Sequence, residues 1–547
     1  MTTLRPPEWP WHIVRRLAAA RGARAWLVGG AVRDQLLERP VHDWDFCVDR
    51  DALGLARAVA DELGGAYFPL DAERGAGRVI LAAAEQPRQA LDFAALRGSD
   101  LEADLTVRDF TINALALDDA GALVDPTGGQ ADLAAGRVRA TGERAFQDDP
   151  VRLLRAVRME AELGFQIEPR TAEWMRRDAS LLARPSAERV RDEFVRLLAL
   201  PGAAAHLCRL DELGLLSPVV PELEPLKHVT QSPPHRFDVW HHTLLVLDAL
   251  EGVIAAVTGA FDSWSKAPAP VSGASCAEPA SPLAGAPAPV PGASDAEPTS
   301  LRVPPDRQPG TAHQRVFADI PPAAWGDLAR TLGQFATDVR AHLAVELSSG
   351  RDRALLLKLA ALLHDVGKPQ TCSQDEDGRI HFYNHEPVGA RIAADRLQAL
   401  RFSRDEIDRA WVIIGQHLRP AHLARAGRVT GRAVYRYFRA TSCGGVDVVL
   451  LALADHLATW GPNLDEECWV QRLEVAETLL THWFERREET ISPPALLTGD
   501  DLMAELRLEP GPQIGRLLEA VREAQAAGEV RTRQEALALA RAHLPKC

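Results

Sequence analysis

Trp26-Leu-Val-Gly29-Gly30-Ala-Val-Arg33-Asp34, followed by Asp43-Trp44-Asp45, is the stretch on which the reading of this chain turns. An apolar run ends in a glycine pair and passes into a helical stretch. Glycines let the backbone approach a phosphate closely, and a following helix N-terminus favours negative charge. Asp43 and Asp45 stand at i and i+2, on the same side of a strand. Two carboxylates so placed can share a pair of Mg²⁺ ions, one activating an attacking hydroxyl and one holding a triphosphate. Asp92, in Ala90-Leu-Asp-Phe93, is the candidate third ligand, from a neighbouring strand. Short apolar runs at Ala25–Val28, Phe46–Val48, Arg78–Ala82 and Ala90–Ala94 alternate with helical stretches, which predicts an α/β domain over 24–125.

Two further stretches carry chemistry. In Arg108-Asp109-Phe-Thr-Ile-Asn113-Ala an Arg suits phosphate and an Asp suits ribose hydroxyls, although a surface ion pair reads the same way. Asp148-Asp149-Pro-Val-Arg152-Leu-Leu-Arg155-Ala-Val-Arg158 is expected to open a helix, with Asp149 and Arg152 as neighbours on one face. The plain alternative is an acid at a helix start beside an intrahelical salt bridge. From Asp149 to about Leu226 the pattern is helical and Arg-rich, and that neck is the expected phosphate track.

In order and wording these stretches resemble the class II tRNA nucleotidyltransferase and bacterial poly(A) polymerase family, over about residues 26–200. Asp125-Pro-Thr-Gly-Gly-Gln-Ala-Asp132-Leu is similar to the hinge segment of that family. The resemblance implies a polymerase-β-like α/β head that transfers nucleotides to RNA 3′ ends. It implies that Asp43 and Asp45 hold catalytic Mg²⁺, with Asp92 beside them. It places Gly29, Gly30 and Arg33 at the triphosphate, and Arg108, Asp109 and Asn113 in nucleotide binding at the ribose. Asp149 and Arg152 would act as a protein template for the incoming base, with Arg155 and Arg158 also in nucleotide binding. One carboxylate and one guanidinium complement the edges of cytosine and adenine, whereas uracil and guanine present donor and acceptor in reverse order. Val107 stands where the family has another Arg, and Asp148 replaces its usual Glu. Only Gly98–Val107 separates Arg97 from Arg108, where many CCA-adding relatives carry a longer flexible loop. In the family a missing loop accompanies addition of CC without the terminal A. Re-aiming one pocket from C to A needs a movable element. The expected activity is CC addition from CTP, with full CCA addition from CTP and ATP as the alternative.

A second constellation lies downstream: His242, then Leu362-Leu-His364-Asp365-Val-Gly-Lys368, His385, His417 and Asp455. Mixed N and O ligands of this kind suit a divalent metal. The pattern resembles the HD phosphohydrolase superfamily, which implies metal ligation by His242, His364, Asp365 and Asp455. His385 and His417 are candidates for a second metal, and Lys368 for phosphate. The tail Leu497-Thr-Gly-Asp-Asp-Leu-Met…Pro510-Gly-Pro-Gln-Ile-Gly515 is also similar to HD-bearing members.

The expected organisation is a head over 1–145, an all-α neck over 146–225, an all-α HD domain over 226–488 and a small helical tail over 489–547. A Pro/Ala-rich, internally duplicated tract at 266–313 reads as a disordered insertion. The net charge of −14 excludes a uniformly basic nucleic-acid binder, so RNA contact must come from local Arg patches. Seven scattered cysteines without a CxxC pair argue against a disulfide scaffold. With no signal-peptide pattern and no apolar run near ~20 residues, a cytoplasmic protein with no membrane contact is expected. The expected partners are the tRNA 3′ end, CTP, ATP and, for CC addition alone, a separate A-adding enzyme. Two rival readings are a poly(A) polymerase on general RNA, and an HD phosphohydrolase whose first half only holds RNA.

Overall fold

The computed structural model describes residues 10–41, 43–81, 89–118, 120–266 and 320–544. The duplicated Pro/Ala-rich tract lies outside the described residues. The chain forms two compact units. One runs to Leu197 and includes Arg209–Val219; the other holds Leu198–Cys208 and the described chain from Val220 onward.

The first unit is built on a seven-stranded sheet. Its strands are β1 (Ala25–Val28), β2 (Asp43–Val48), β3 (Ala66–Asp71), β4 (Ala76–Leu81), β5 (Gln89–Ala95), β6 (Ala116–Leu117) and β7 (Leu123–Val124), in the order β3-β4-β5-β2-β1-β6-β7. All neighbours are antiparallel except β2 and β5, which run parallel with Asp45 opposite Asp92 and Phe46 opposite Phe93. That register decides what each face does. Phe46 stacks on Phe93 at 5.1 Å and on Trp11 at 5.8 Å, so this face is sealed by helices α1 (Trp11–Ala20) and α2 (Ala52–Leu63). The alternate residues put Asp43, Asp45 and Asp92 on the opposite face. There Cys47 joins Trp26, Val28, Leu105, Ala114 and Ala116 in a small core, supplied partly by helix α3 (Leu101–Thr106).

The neck follows, with helix α4 (Arg152–Leu163) and helix α5 (Ala187–Ala199). The second unit is helical, with two short hairpins at Glu346–Asp352 and Cys372–Phe382 that depart from the all-α domain expected over 226–488. Helices α6 (Val239–Val257), α7 (Arg353–Leu363) and α8 (Gly445–Trp460) form its core. Helix α6 is long and apolar enough to cross a membrane, but 83% of that window is buried inside the protein. The tail helices Gly499–Leu506, Pro512–Ala526 and Arg533–Ala542 close over their own core of Leu497, Leu502, Leu517 and Val521. Cys47, Cys372, Cys443 and Cys468 are free thiols.

Candidate active sites

Gly29 ends β1 at φ 73°, ψ −137°, a conformation that favours glycine. Space requires it as well. A Cβ there would lie 3.2 Å from Arg108 Nη1 and 3.4 Å from Asp45 Oδ2. The glycine turn, Arg108 and Asp45 therefore converge on one small cradle at the end of β1. Burial, and then the neighbouring Asp92, push the Asp45 carboxyl up to about 6, with Arg108 opposing. Asp43 is exposed at the mouth. Positive charge stabilises carboxylates gathered on one face, so Asp43 and Asp45 fit a divalent cation. Asp92 is engaged by Arg78, which donates from Nε and Nη2 at 2.7 Å each. Arg78 lies opposite Asp92 in the sheet register, a partnership no spacing in the sequence reveals.

Arg108 is held from behind. Asp104, 1% exposed, accepts from its Nε at 3.1 Å and its Nη2 at 3.0 Å, and also accepts from the Arg97 amide. This leaves Nη1 directed at the cradle. Asp104 was absent from the sequence reading, although its i, i+4 relation to Arg108 was the available signal. Replacing Asp104 by Ala strands a mostly buried guanidinium, which costs roughly 3–5 kcal/mol of stability. For Asp104→Asn, which keeps the shape, the expected result is a fold stable enough to assay with kcat/KM for CTP reduced about tenfold or more. Thermal melting and initial-rate kinetics check both.

Asp109 is buried and accepts from the Phe110 amide at 2.8 Å, Asn113 Nδ2 at 3.1 Å and Arg155 Nη1 at 3.2 Å. Burial alone would raise its carboxyl; Arg155, Asn113 and the Phe110 amide hold it below the usual range. Arg33 does not stand free. It forks onto Asp34 at 2.9 Å and donates to Asn113 Oδ1 at 2.6 Å. Gly30 opens the seven-residue helix Gly30–Leu36 that carries Arg33.

Asp149 and Arg152 are not neighbours on one helical face. The helix begins at Arg152, and Asp149 is extended at φ −147°, ψ 97°. The reason is Pro150, which disfavours the helical region for the residue before it. Asp149 instead accepts from Arg189 at 2.7 Å, and Arg152 donates to the carbonyls of Val107, Arg108 and Ala145 at 3.0–3.3 Å. Arg155 and Arg158 both engage Glu193 of α5, at 3.2 and 2.7 Å. Much of the expected phosphate track is thus consumed inside the protein: Arg152, Arg155, Arg158, Arg177 and Arg189 all hold internal partners. Acids interspersed in sequence become partners in space. The hinge-like segment is similarly tied, with buried Asp132 accepting from Thr111 and Arg139.

The second unit gathers His242, His364, Asp365, His385, His417 and Asp455. His242 Nε2 lies 3.0 Å from Asp455 Oδ1 and 3.6 Å from Asp365 Oδ2. Asp365 joins two groups that could each hold a metal ion, one with His242 and His364, the other with His385 and His417. The ring tautomers explain why. Nδ1 of His364, His385 and His417 each faces the carbonyl three residues earlier, at 2.7–2.8 Å, which turns each Nε2 lone pair inward. Nε2 of His385 is buried without a hydrogen-bond partner, and Nε2 of His364 lies 3.1 Å from Asp365 Oδ2. Imidazole nitrogens and carboxylate oxygens converging in this way fit a divalent ion. Burial, then His364 and His385, push His417 down to about 3, so it stays neutral and available as a ligand. Lys368 Nζ lies 2.7 Å from Asp365 Oδ2. The group opens into a cavity of about 560 Å³ lined also by Arg379, Arg425, Arg472 and Trp460.

With the geometry in view, comparisons place both halves. A Poly A polymerase head domain is recognised over residues 25–139, a polymerase A region named for RNA and SrmB binding over 164–227, an HD domain over 329–460 and tRNA nucleotidyltransferase domain 2 over 490–540. The chain is 33% identical over 522 residues to an A-adding tRNA nucleotidyltransferase of Deinococcus radiodurans, covering 94% of each. It is 31% identical over 531 residues to a CC-adding tRNA nucleotidyltransferase of Geobacter sulfurreducens, covering 96% of this chain and 93% of the relative. In fold it is similar to the Thermotoga maritima CCA-adding enzyme complexed with tRNA, with a TM-score of 0.54 at 18% identity over 99% of this chain and 96% of that one.

Proposed function

This chain belongs to the class II tRNA nucleotidyltransferases that carry an HD domain, and on that premise we propose that it adds the two cytidines, and not the final adenosine, to tRNA 3′ ends. The observation that carries the proposal is the connection from β5 to α3. Five residues, Leu96–Asp100, span it. Asp100 caps α3 by accepting from the Ala103 amide at 2.9 Å, and Arg97 N is tied to Asp104. So short and pinned a link leaves no element to re-aim the base site from C to A. The Deinococcus relative favours a second reading, addition of A alone, which needs no re-aiming and is told apart by whether a CC-ended tRNA accepts adenosine.

Both protein families are metal-dependent. We assign Mg²⁺ to the head, where Asp43, Asp45 and Asp92 would hold it. Bound there, it would supply activation of the primer hydroxyl and neutralisation of the triphosphate. The chain's own groups do the rest. Gly29 admits the phosphates, Arg108 Nη1 meets charge developing on them, and Asp109 orients the ribose. Asp149 accepts the exocyclic amine of the base, while Arg152, fixed by three carbonyls, donates to the ring acceptor. Arg189 must yield part of its hold on Asp149 when the base arrives. In the second unit His242, His364, Asp365 and Asp455 would hold a divalent ion for phosphoester hydrolysis, with His385 and His417 holding a second. A separate A-adding enzyme would complete the 3′ end, and the cytoplasm is the proposed compartment.

Incubating a tRNA that lacks CCA with CTP, ATP and Mg²⁺, and resolving products by single nucleotides, tests this. The expected product is longer by two. A product longer by three contradicts the CC limit, and a tail of many adenosines would establish the poly(A) polymerase reading instead.

A further inference from the structure

The C-terminal end of the second unit contains a polar cavity of about 510 Å³ that neither site uses. Its walls are the helices Gly431–Thr441 and Pro512–Ala526, with Trp483 and Arg487 from the next elements. Arg439, Arg487 and Arg522 all line it. Glu519 takes up Arg439 at 3.0 Å, but among the described residues neither Arg487 nor Arg522 forms an ion pair with a carboxylate. In a chain of net charge −14, unneutralised guanidinium groups around one cavity are a departure that calls for an anion.

The guanidinium of Arg487 is also preorganised. It lies 4.3 Å from the centroid of the Trp483 ring, whose ring in turn stacks on Phe438 at 5.0 Å. The contact holds a cation over the ring. A planar guanidinium suits bidentate contact with phosphate. The walls are rigid for a separate reason: Arg432 and Arg436 both pair with Glu523 across the two helices, at 3.1 and 2.6 Å. At the rim Ser442 adopts φ 46°, ψ −130°, a region that favours glycine, and lines the cavity.

We propose that this cavity is a phosphodiester-binding site for the RNA substrate, with Arg487 and Arg522 as its cations and Ser442 as an uncharged donor. It shares no residue with the head site, so it serves substrate affinity and not the chemical step. The shared chemistry, a phosphate, could equally come from a free nucleotide, and the test separates the two sources.

The test uses the full chain carrying Arg487→Glu and Arg522→Glu together, with Arg487→Gln and Arg522→Gln as the milder pair. Both positions are exposed, and circular dichroism and melting check that the fold is kept. The expected result is a KM for tRNA raised about tenfold in the Glu pair, with kcat and the KM for CTP unchanged. Neutralising two phosphate contacts should also reduce the salt slope of tRNA binding by roughly 1.5–2. AMP and inorganic phosphate at millimolar concentration should not compete. An unchanged KM for tRNA in both pairs overturns the proposal. So does competition by AMP or phosphate that the Glu pair abolishes without any change in tRNA affinity, because the cavity would then serve free nucleotides. Loss of CTP addition by the unmodified chain would contradict the proposed function but leave a measured tRNA affinity, and its loss in the variants, intact.

Discussion

Asp45→Asn lowers nucleotide addition by on the order of 10³-fold or more while the protein becomes no less stable. The loss follows from the cradle: Asp45 faces the Gly29 turn, Arg108 and Asp92 at once, so its charge cannot be supplied from elsewhere. The stability sign comes from its carboxyl, which sits at about 6 against an ordinary 3.8 because of burial and then Asp92. A raised folded value means that the ionised form is disfavoured in the native state. The wild type therefore carries a stability cost that is absent below about pH 4, grows as pH rises through 6 and is full above it. Asn removes that cost, so in metal-free buffer the variant should melt at or above the wild-type temperature at pH 8. The two should converge toward pH 4. Added Mg²⁺ should raise the melting temperature of the wild type more at pH 8 than at pH 5, and that of the variant little. Calorimetry with and without EDTA, beside single-turnover extension, reads all of this. A variant that unfolds early would make Asp45 a structural residue.

Asp365→Asn is expected to remove bound metal from the second unit and to abolish hydrolysis of a phosphomonoester probe, while CTP addition stays within about twofold of wild type. Asp365 is the group common to both candidate metal sets, so its loss empties both. It is buried, and although burial raises its carboxyl, His364 and Lys368 hold it well below the usual range, ready to ligate. Breaking a buried charge cluster costs roughly 3–5 kcal/mol, so His417→Gln serves as the second variant and should lose only the set that contains His385. Metal content by mass spectrometry and p-nitrophenyl phosphate hydrolysis give the readouts. If Asp43→Ala left every activity intact and His364→Ala removed all of it, the head would be an RNA-holding module and the HD site the working enzyme.

How much of this was legible beforehand follows physical lines. β1 was bounded to the residue, since Ala25–Val28 is fully buried and closed by a glycine at positive φ. β3, Ala66–Asp71, left no signal: it is an edge strand, mostly exposed on both sides and carrying Pro69, so no alternation marks it. Asp43, Asp45 and Asp92 were found because a strand period and a register bring them to one face. Arg78 and Glu193 were missed because each acts by holding another charged side chain, and pairing across 14 or 38 residues has no local trace; Asp104 did have a local trace, its i, i+4 relation to Arg108. The extended Asp149 was legible in principle from Pro150 alone. In the HD unit the clustered His and Asp residues were read from the sequence pattern, but the ring orientations depend on backbone carbonyls three residues earlier, which only the fold defines.

The central claim, cytidine addition that halts before adenosine, is met most directly by a paired single-turnover measurement. One tRNA ends in C and receives CTP; another ends in CC and receives ATP, each at saturating Mg²⁺. The account predicts one cytidine joined to the first at a rate of ordinary catalysis, and adenosine joined to the second at least about 10²-fold more slowly. Rapid addition of adenosine to the CC-ended tRNA, with no cytidine added to the other, would contradict it and make the chain an A-adding enzyme despite its short Leu96–Asp100 link.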